Sequence, residues 1–125
     1  MRVVVGAAVV RGGRVLAAQR SRPPAAAGLW ELPGGGVEPG ESEAEALVRE
    51  CVEELALPVV VLGRLGPDVV VDADCVLRVH VCVTDAEPTA LEHTALRWVS
   101  AAELDALDWL ATDRELLPAL AALLG

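Results

Sequence analysis

The sequence has no lysine, phenylalanine or tyrosine, and three tryptophans are its only aromatic residues. All ten basic residues are arginines, against 19 acidic residues, so the formal net charge is −9. A chain this acidic lacks the basic surface that binding to nucleic-acid polymers requires. It can still bind phosphates where metal ions lie between the two negative partners. The composition therefore argues against a nucleic-acid polymer as partner and leaves small phosphorylated ligands open.

Cysteines and long apolar runs are also scarce. The three cysteines are an odd number and form no CxxC pair, which predicts neither a disulfide framework nor a zinc site: Cys51, Cys75 and Cys82. We expect them to be buried thiols in a reducing compartment. No apolar run is long enough to span a bilayer, and the N-terminus lacks the plan of a signal peptide. These features predict a cytoplasmic protein without a membrane partner.

The length and the apolar content predict a folded core. The chain has 125 residues, of which 54% are hydrophobic, enough for one domain over residues 1–125. Valine-rich segments and clusters of glycine and proline alternate along the first third of the chain. We expect these elements in order: strand 2–10, turn 12–13, strand 14–20, loop 21–28, extended segment 29–33 and loop 34–40.

Residues 41–56 give the clearest helical pattern. Ser42 is a candidate N-cap and Glu45 follows three residues later, the spacing of a capping box. Pro58 prevents continuation of the helix. Apolar residues recur at helical spacing and predict one buried face: Ala44, Leu47, Val48, Cys51 and Leu55.

The second half of the chain predicts further strands and then helices. We expect one or two strands over 59–71, broken near Gly66 and Pro67, a strand over 75–84 with a polar face, and a short strand over 96–99. Residues 101–107 and 112–124 have helical composition. The whole pattern predicts an α+β fold, with a mixed β-sheet packed between α-helices.

Three glutamates lie close together on the helix over residues 41–56. Glu50, Glu53 and Glu54 are spaced i, i+3 and i+4, which places them on one face, where like charges repel. One interpretation is a solvated acidic face, which is common for charge runs. The other is a site for Mg²⁺ or Mn²⁺, since these ions prefer oxygen ligands and join carboxylates to phosphates. The glycine-rich segment before the helix and Arg49 within it favour the metal site.

The same residues resemble the signature of the Nudix hydrolases. The family's pattern is Gly, five residues, Glu, seven residues, Arg-Glu, two residues, Glu-Glu, one residue, Gly and an aliphatic residue. Here the matching positions run from Gly35 to Leu57, and Ala56 stands where the family has glycine. An alanine there is strained if its φ angle is positive.

The resemblance extends beyond this signature. Residues 30–35, Trp-Glu-Leu-Pro-Gly-Gly, are similar to the segment that leads into it in MutT-like members. Arg20 is similar to a basic residue that meets phosphates, and Glu92 to a glutamate that reaches the metal site from a loop. Asp113 is similar to a residue that contacts the base. His80 and Arg78 lie on a strand that borders the base pocket in such proteins.

The resemblance implies a role for each of these residues. The expected metal ligands are Gly34, through its carbonyl, and Glu50, Glu53 and Glu54. The expected catalytic and supporting residues are Glu53 or Glu92 as general base, with Arg49 and Glu41 holding the cluster. The expected substrate contacts are Arg20, His80, Arg78 and Asp113. Among the tryptophans, Trp98 is expected in the core, and Trp30 and Trp109 are expected to be buried unless one stacks on a base.

The resemblance to MutT-like proteins implies metal-dependent cleavage of a nucleoside triphosphate, normal or damaged, to a monophosphate and pyrophosphate. Two alternatives stay open. In the first, the substrate is another nucleoside diphosphate derivative, such as ADP-ribose or a dinucleoside polyphosphate. In the second, the chain is a non-catalytic nucleotide-binding module. The expected partner is a nucleotide, and the expected assembly is a monomer or a homodimer.

Overall fold

The computed structural model describes all 125 residues, and its strands form one mixed seven-stranded sheet. The order across the sheet is β3-β2-β1-β6-β5, with β4 paired to β1 and β7 paired to β2. Only β1 and β6 run parallel. The strands are β1 Arg2–Arg11, β2 Arg14–Gln19, β3 Trp30–Glu31, β4 Gly34–Gly36, β5 Val60–Asp72, β6 Cys75–Val83 and β7 Ala95–Ser100.

Helices cover both faces of the sheet, as the α+β prediction requires. The first helix, α1, is Glu43–Leu55, and its apolar residues pack on Val5, Ala7 and Val9 of β1. The opposite face is covered by a short 3₁₀ helix and by α2 and α3: Ala101–Ala106, Ala111–Arg114 and Leu117–Leu124. Two buried apolar clusters result, one on each side of the sheet.

Helix α1 begins and ends as the sequence predicts. Ser42 accepts the backbone N–H of Glu45, and the Glu45 carboxylate accepts the backbone N–H of Ser42, which completes the capping box. Ala56 follows the last turn in the left-handed region, with φ 49° and ψ 38°. The alanine that replaces the family's glycine therefore occupies the backbone conformation that disfavours it.

The buried face of α1 differs from the predicted one at two positions. Ala44 and Val48 were expected in the core but are exposed beside β5. The helix is rotated so that Glu50 and Glu54 reach β4, and this turns Ala44 and Val48 away from the sheet. The side chains that α1 buries are Ala46, Leu47, Cys51 and Leu55.

Gly34–Gly36 forms strand β4 instead of the predicted loop. It pairs antiparallel with Val4, Val5 and Gly6 of β1. A Cβ at Gly34 would lie 1.9 Å from the Val5 carbonyl oxygen, so the backbones approach this closely only because position 34 has no side chain. Absence of side chains, which normally weakens a strand, here permits the pairing.

The C-terminal helix is also different from the prediction. It is split into α2 and α3 because Pro118 has no N–H to donate to the carbonyl of Arg114. Strand β5 is continuous, with its register shifted between Leu65 and Val69, near the predicted break. All three cysteines are free and buried, as expected. The structure contains no helix that is long and apolar enough to cross a membrane.

Candidate active site

Strand β4 and helix α1 meet at Gly35 and Glu50. A Cβ at Gly35 would lie only 2.5 Å from Cδ of Glu50, so the carboxylate occupies the space a side chain would take. Glu50 also accepts a hydrogen bond of 2.8 Å from Nη1 of Arg49. The glycine-rich strand therefore makes room for a carboxylate that the helix delivers.

Arg49 ties together the acidic residues around it. Its Nε and Nη2 donate to the two carboxylate oxygens of Glu41 at 2.7 and 3.0 Å, and Nη2 also donates to the carbonyl of Gly36. Its Nη1 reaches Glu50 and, at 3.3 Å, Glu53. These hydrogen bonds lower the pKa of Glu41 to about 2 and raise that of Arg49. Glu41 thus contacts the cluster through Arg49.

Glu54 is the most confined carboxylate of the cluster. Its Oε1 accepts the backbone N–H of Gly34 at 3.4 Å. Burial, together with the nearby charges of Glu31, Glu50 and Glu92, raises the pKa of Glu54 to about 8. Each of these neighbours lies beside an arginine, whereas Glu54 has none, so its charged form is disfavoured.

The residues present fit a hard divalent cation. The donors are carboxylate oxygens, which Mg²⁺ and Mn²⁺ prefer, and a cation would offset both the burial of Glu54 and the charges of its acidic neighbours. In the conformation observed, no three acidic, histidine or cysteine side chains are gathered at coordination distances. The Glu50 and Glu53 carboxylates are held by Arg49, and the Glu53 side chain is 54% exposed.

A small cavity of about 140 Å³ opens beside Glu54. Glu92, whose side chain is 47% exposed, lies on its wall, and the Ser21 hydroxyl donates to the Glu92 carbonyl at 3.0 Å. The structure thus brings Arg20 and Glu92, predicted from distant segments, to the helix that carries Glu54. The lining residues are Arg20, Ser21, Arg22, Glu54, Glu92 and His93.

A second cavity of about 260 Å³ adjoins β4 and is lined by Arg20, Glu31 and Asp113, among others. Asp113 is 6% exposed, and its Oδ2 accepts the backbone N–H of Leu32 at 2.8 Å. Burial raises its pKa to about 7. Because Arg20 lines both cavities, they are neighbours, and together we call them the cleft, with an acidic end at Glu54 and a second end at Asp113.

Larger depressions lie elsewhere on the surface but offer less chemistry. One of about 440 Å³ runs from Pro58 to Asp85, and one of about 520 Å³ lies between Val48 and β5. Their walls are open and carry few polar side chains that converge on a point. Size alone does not make a site, so the smaller cleft with its converging charged groups is the candidate.

Arg78 and His80 are not brought to this cleft. Both project from β6 toward the start of α1, where Arg78 donates to Glu43 at 2.8 Å and Nε2 of His80 lies 2.9 Å from the same carboxylate. The expected placement fails because residues of a strand alternate between faces, and it is Leu77 that lines the cleft.

The tryptophans do not line the cleft either. Trp109 is buried and donates from Nε1 to the Leu104 carbonyl at 2.7 Å. Trp30 and Trp98 are half-buried, and the guanidinium of Arg11 lies 4.4 Å from the Trp98 ring centroid. Their expected burial is thus complete only for Trp109.

Two site residues escape prediction from the sequence. Glu31 lies in the segment that precedes the glycines, and its carboxylate accepts from Arg20 Nη1 at 3.0 Å. His93 contacts the other oxygen of Glu31 at 2.9 Å and lies 4.0 Å from Glu54. The sequence signals were the place of Glu31 within residues 30–35 and the position of His93 next to Glu92.

Comparison with known proteins agrees with this geometry. The NUDIX domain profile matches residues 1–120. The chain belongs to the NUDIX family. A Mycobacterium tuberculosis relative with the provisional name 8-oxo-dGTP diphosphatase 2 is 50% identical over 116 residues, covering 90% of this chain and 82% of that protein. The Escherichia coli CTP pyrophosphohydrolase is 39% identical over 123 residues, covering 96% and 91%.

Solved structures show the same NUDIX fold. The Escherichia coli ORF135 protein superimposes with a TM-score of 0.84 at 36% identity, covering 98% of this chain and 90% of that one. A MutT NUDIX hydrolase from Burkholderia pseudomallei gives a TM-score of 0.74 at 33% identity, covering 94% and 96%. The protein is therefore a NUDIX hydrolase of the α+β fold, in a family that generally depends on divalent metal ions.

Proposed function

We propose that this NUDIX hydrolase cleaves a nucleoside triphosphate to a nucleoside monophosphate and pyrophosphate, using Mg²⁺ or Mn²⁺. The observation that carries the proposal is the pair of neighbouring cavities, one at Glu54 of the acidic cluster and one at the buried carboxyl of Asp113, which share Arg20 as a lining residue. The names of the two relatives add support, since 8-oxo-dGTP and CTP are both nucleoside triphosphates.

The acidic end of the cleft would hold the cation and the reacting phosphates. Glu50, Glu53 and Glu54 would ligate through carboxylate oxygens, and Gly34 through its carbonyl. A bound divalent cation neutralises the polyphosphate and lowers the pKa of an attacking water. Arg49, fixed on Glu41, keeps the carboxylates oriented, as supporting residues around metal ligands do.

The proton of the attacking water goes to a carboxylate at the open side of the cluster. Glu53 and Glu92 both qualify, since each side chain is about half exposed. A general base must lie within hydrogen-bond reach of the water it activates; Glu92 lines the acidic end, and Glu53 neighbours Glu54 on α1. Glu53 and Glu92 are therefore both candidates for the general base.

The other end of the cleft would bind the nucleoside. Arg20 would contact phosphate oxygens, and Asp113 would accept a hydrogen bond from the base. Arg78 and His80 would act outside the cleft by anchoring Glu43 at the start of α1. The free thiols support the cytosol as the compartment in which the reaction takes place.

The test is a panel of purified nucleotides incubated with Mg²⁺ or Mn²⁺, with chromatographic identification of the products. The panel contains normal and oxidised nucleoside triphosphates, ADP-ribose and dinucleoside polyphosphates. We expect monophosphate and pyrophosphate from a triphosphate, and no reaction with a chelator. Cleavage restricted to the diphosphate derivatives would replace the proposed substrate, and no metal-dependent cleavage at all would overturn the proposal.

A further inference from the structure

Glu31 occupies the junction of the two ends of the cleft. It is the last residue of β3, it lines the cavity at Asp113, and its charge affects the Glu54 carboxyl. Its two oxygens are held from different segments: Arg20 donates to Oε1 at 3.0 Å and His93 contacts Oε2 at 2.9 Å.

The side chain of His93 is almost completely buried. Its side chain is 6% exposed, and Nδ1 is buried without any hydrogen-bond partner. A buried polar atom without a partner costs free energy, so burial of this ring is unfavourable unless its other nitrogen compensates. Nε2 lies between two carboxylates, 2.9 Å from Glu31 and 4.0 Å from Glu54. Glu31 is therefore the hydrogen-bond partner of the His93 ring.

The contact with His93 limits what Arg20 can do with Glu31. Arg20 uses Nη1 for Glu31 and Nε for the Arg22 carbonyl, and its Nη2 has no hydrogen-bond partner within the protein. Arginine and a carboxylate readily form two parallel hydrogen bonds when both oxygens are available. In the observed arrangement Oε2 of Glu31 is turned toward His93, and Glu31 holds Arg20 by one hydrogen bond, so Nη2 stays free.

We propose that His93 is a positioning residue that holds Glu31 in place and thereby keeps the Arg20 guanidinium available to the phosphates of the nucleotide. The inference rests on the proposed function, since it gives Arg20 a phosphate to bind. Without His93, Glu31 takes Arg20 with both oxygens and competes with the substrate. The consequence is weaker binding of phosphates with little change in the chemical step.

Two amide substitutions separate the contact from the size and polarity of the ring. H93Q extends an amide nitrogen to about the position of Nε2, whereas the shorter side chain of H93N does not reach it. With the triphosphate that the wild type cleaves, we expect H93N to raise KM roughly 10-fold with a much smaller change in kcat. H93Q should stay close to the wild type. Equal KM values for H93N and wild type would overturn the proposal.

The route through Glu31 is tested in a double-mutant cycle with E31Q. If His93 acts on Arg20 only through the Glu31 carboxylate, H93N should raise KM little further in the E31Q background. The same fold-increase in both backgrounds would overturn the proposal, since His93 would then act independently of Glu31.

Calorimetric titration with inorganic pyrophosphate in Mg²⁺ makes the result independent of turnover. Binding should weaken roughly 10-fold in H93N and be retained in H93Q. If no nucleotide of the panel is cleaved but pyrophosphate binds as expected, the proposed substrate is wrong and the role of His93 stands. Absence of pyrophosphate binding to the wild type, or equal binding to H93N, would overturn that role.

Thermal unfolding of H80N serves as a control for stability. This variant loses a similar 2.9 Å contact between histidine and carboxylate, so it shows how much stability the loss of such a contact costs.

Discussion

Gly35 is the residue at which the main-chain geometry of β4 determines the position of a candidate ligand. The Glu50 carboxyl lies where a side chain at position 35 would be, with its Cδ 2.5 Å from an ideal Cβ of that residue. The next residue, Gly36, differs, since the nearest atom to its Cβ would be in the Arg2 side chain at 3.5 Å, an ordinary contact. The two neighbours thus form a matched pair.

We expect G35A to lower kcat/KM roughly 10- to 100-fold, because a displaced ligand perturbs the metal site, while the unfolding temperature changes little. The displaced group is the end of a flexible side chain, so the fold can accommodate the methyl group. Steady-state kinetics and thermal unfolding of G35A and G36A measure both effects. If G36A loses as much activity as G35A, the contact with Glu50 is not the cause.

Residues of the site could be predicted from the sequence where they are close to each other along the chain. Glu50, Glu53 and Glu54 lie on one helix, so their spacing alone made them neighbours, although their side chains are not gathered at coordination distances. Arg78 and His80 were misplaced because the residue types of a strand do not show which of its faces lines a cleft. His93 was missed because its partner, Glu31, is 62 residues away in the chain.

Among the elements, α1 shows both the strength and the limit of sequence patterns. Its capping box and its end before Pro58 followed from local rules. Its rotation did not, because the side that faces the sheet buries Ala46 instead of Ala44 and also carries Glu50 and Glu54 to β4. The same holds for β4, whose glycines predict a loop until a close neighbouring strand is known.

The end of α1 yields a test of stability. Ala56 has φ 49°, so A56G should raise the free energy of unfolding by about 1 kcal/mol, without altering kcat/KM. The control is A44G, an exposed alanine within the same helix, which should lower it by about 0.5–1 kcal/mol. Chemical denaturation measures both. A loss of stability in A56G would show that the left-handed conformation is not strained in solution.

At the scale of the whole molecule, the sheet holds together groups that are distant in sequence. Helix α1 lies on one face and α2 and α3 on the other, and the cleft runs from Glu54 to Asp113 past the edge of β4. The mixed sheet between helices was predicted from the order of strands and helices. The cleft was not, because it depends on how the loops at residues 20–22 and 92–93 meet α1 and the strands.

The central claim is that the acidic cluster of α1 is a metal site for pyrophosphate release from a nucleoside triphosphate. The most direct test is the Mg²⁺-dependent rate of pyrophosphate release by E54Q, with E45Q on the same helix as control, since glutamine can preserve the capping box. We expect E54Q to lose about 100-fold or more of the wild-type rate while remaining folded, and E45Q to retain it. Full pyrophosphate release by E54Q would contradict the account.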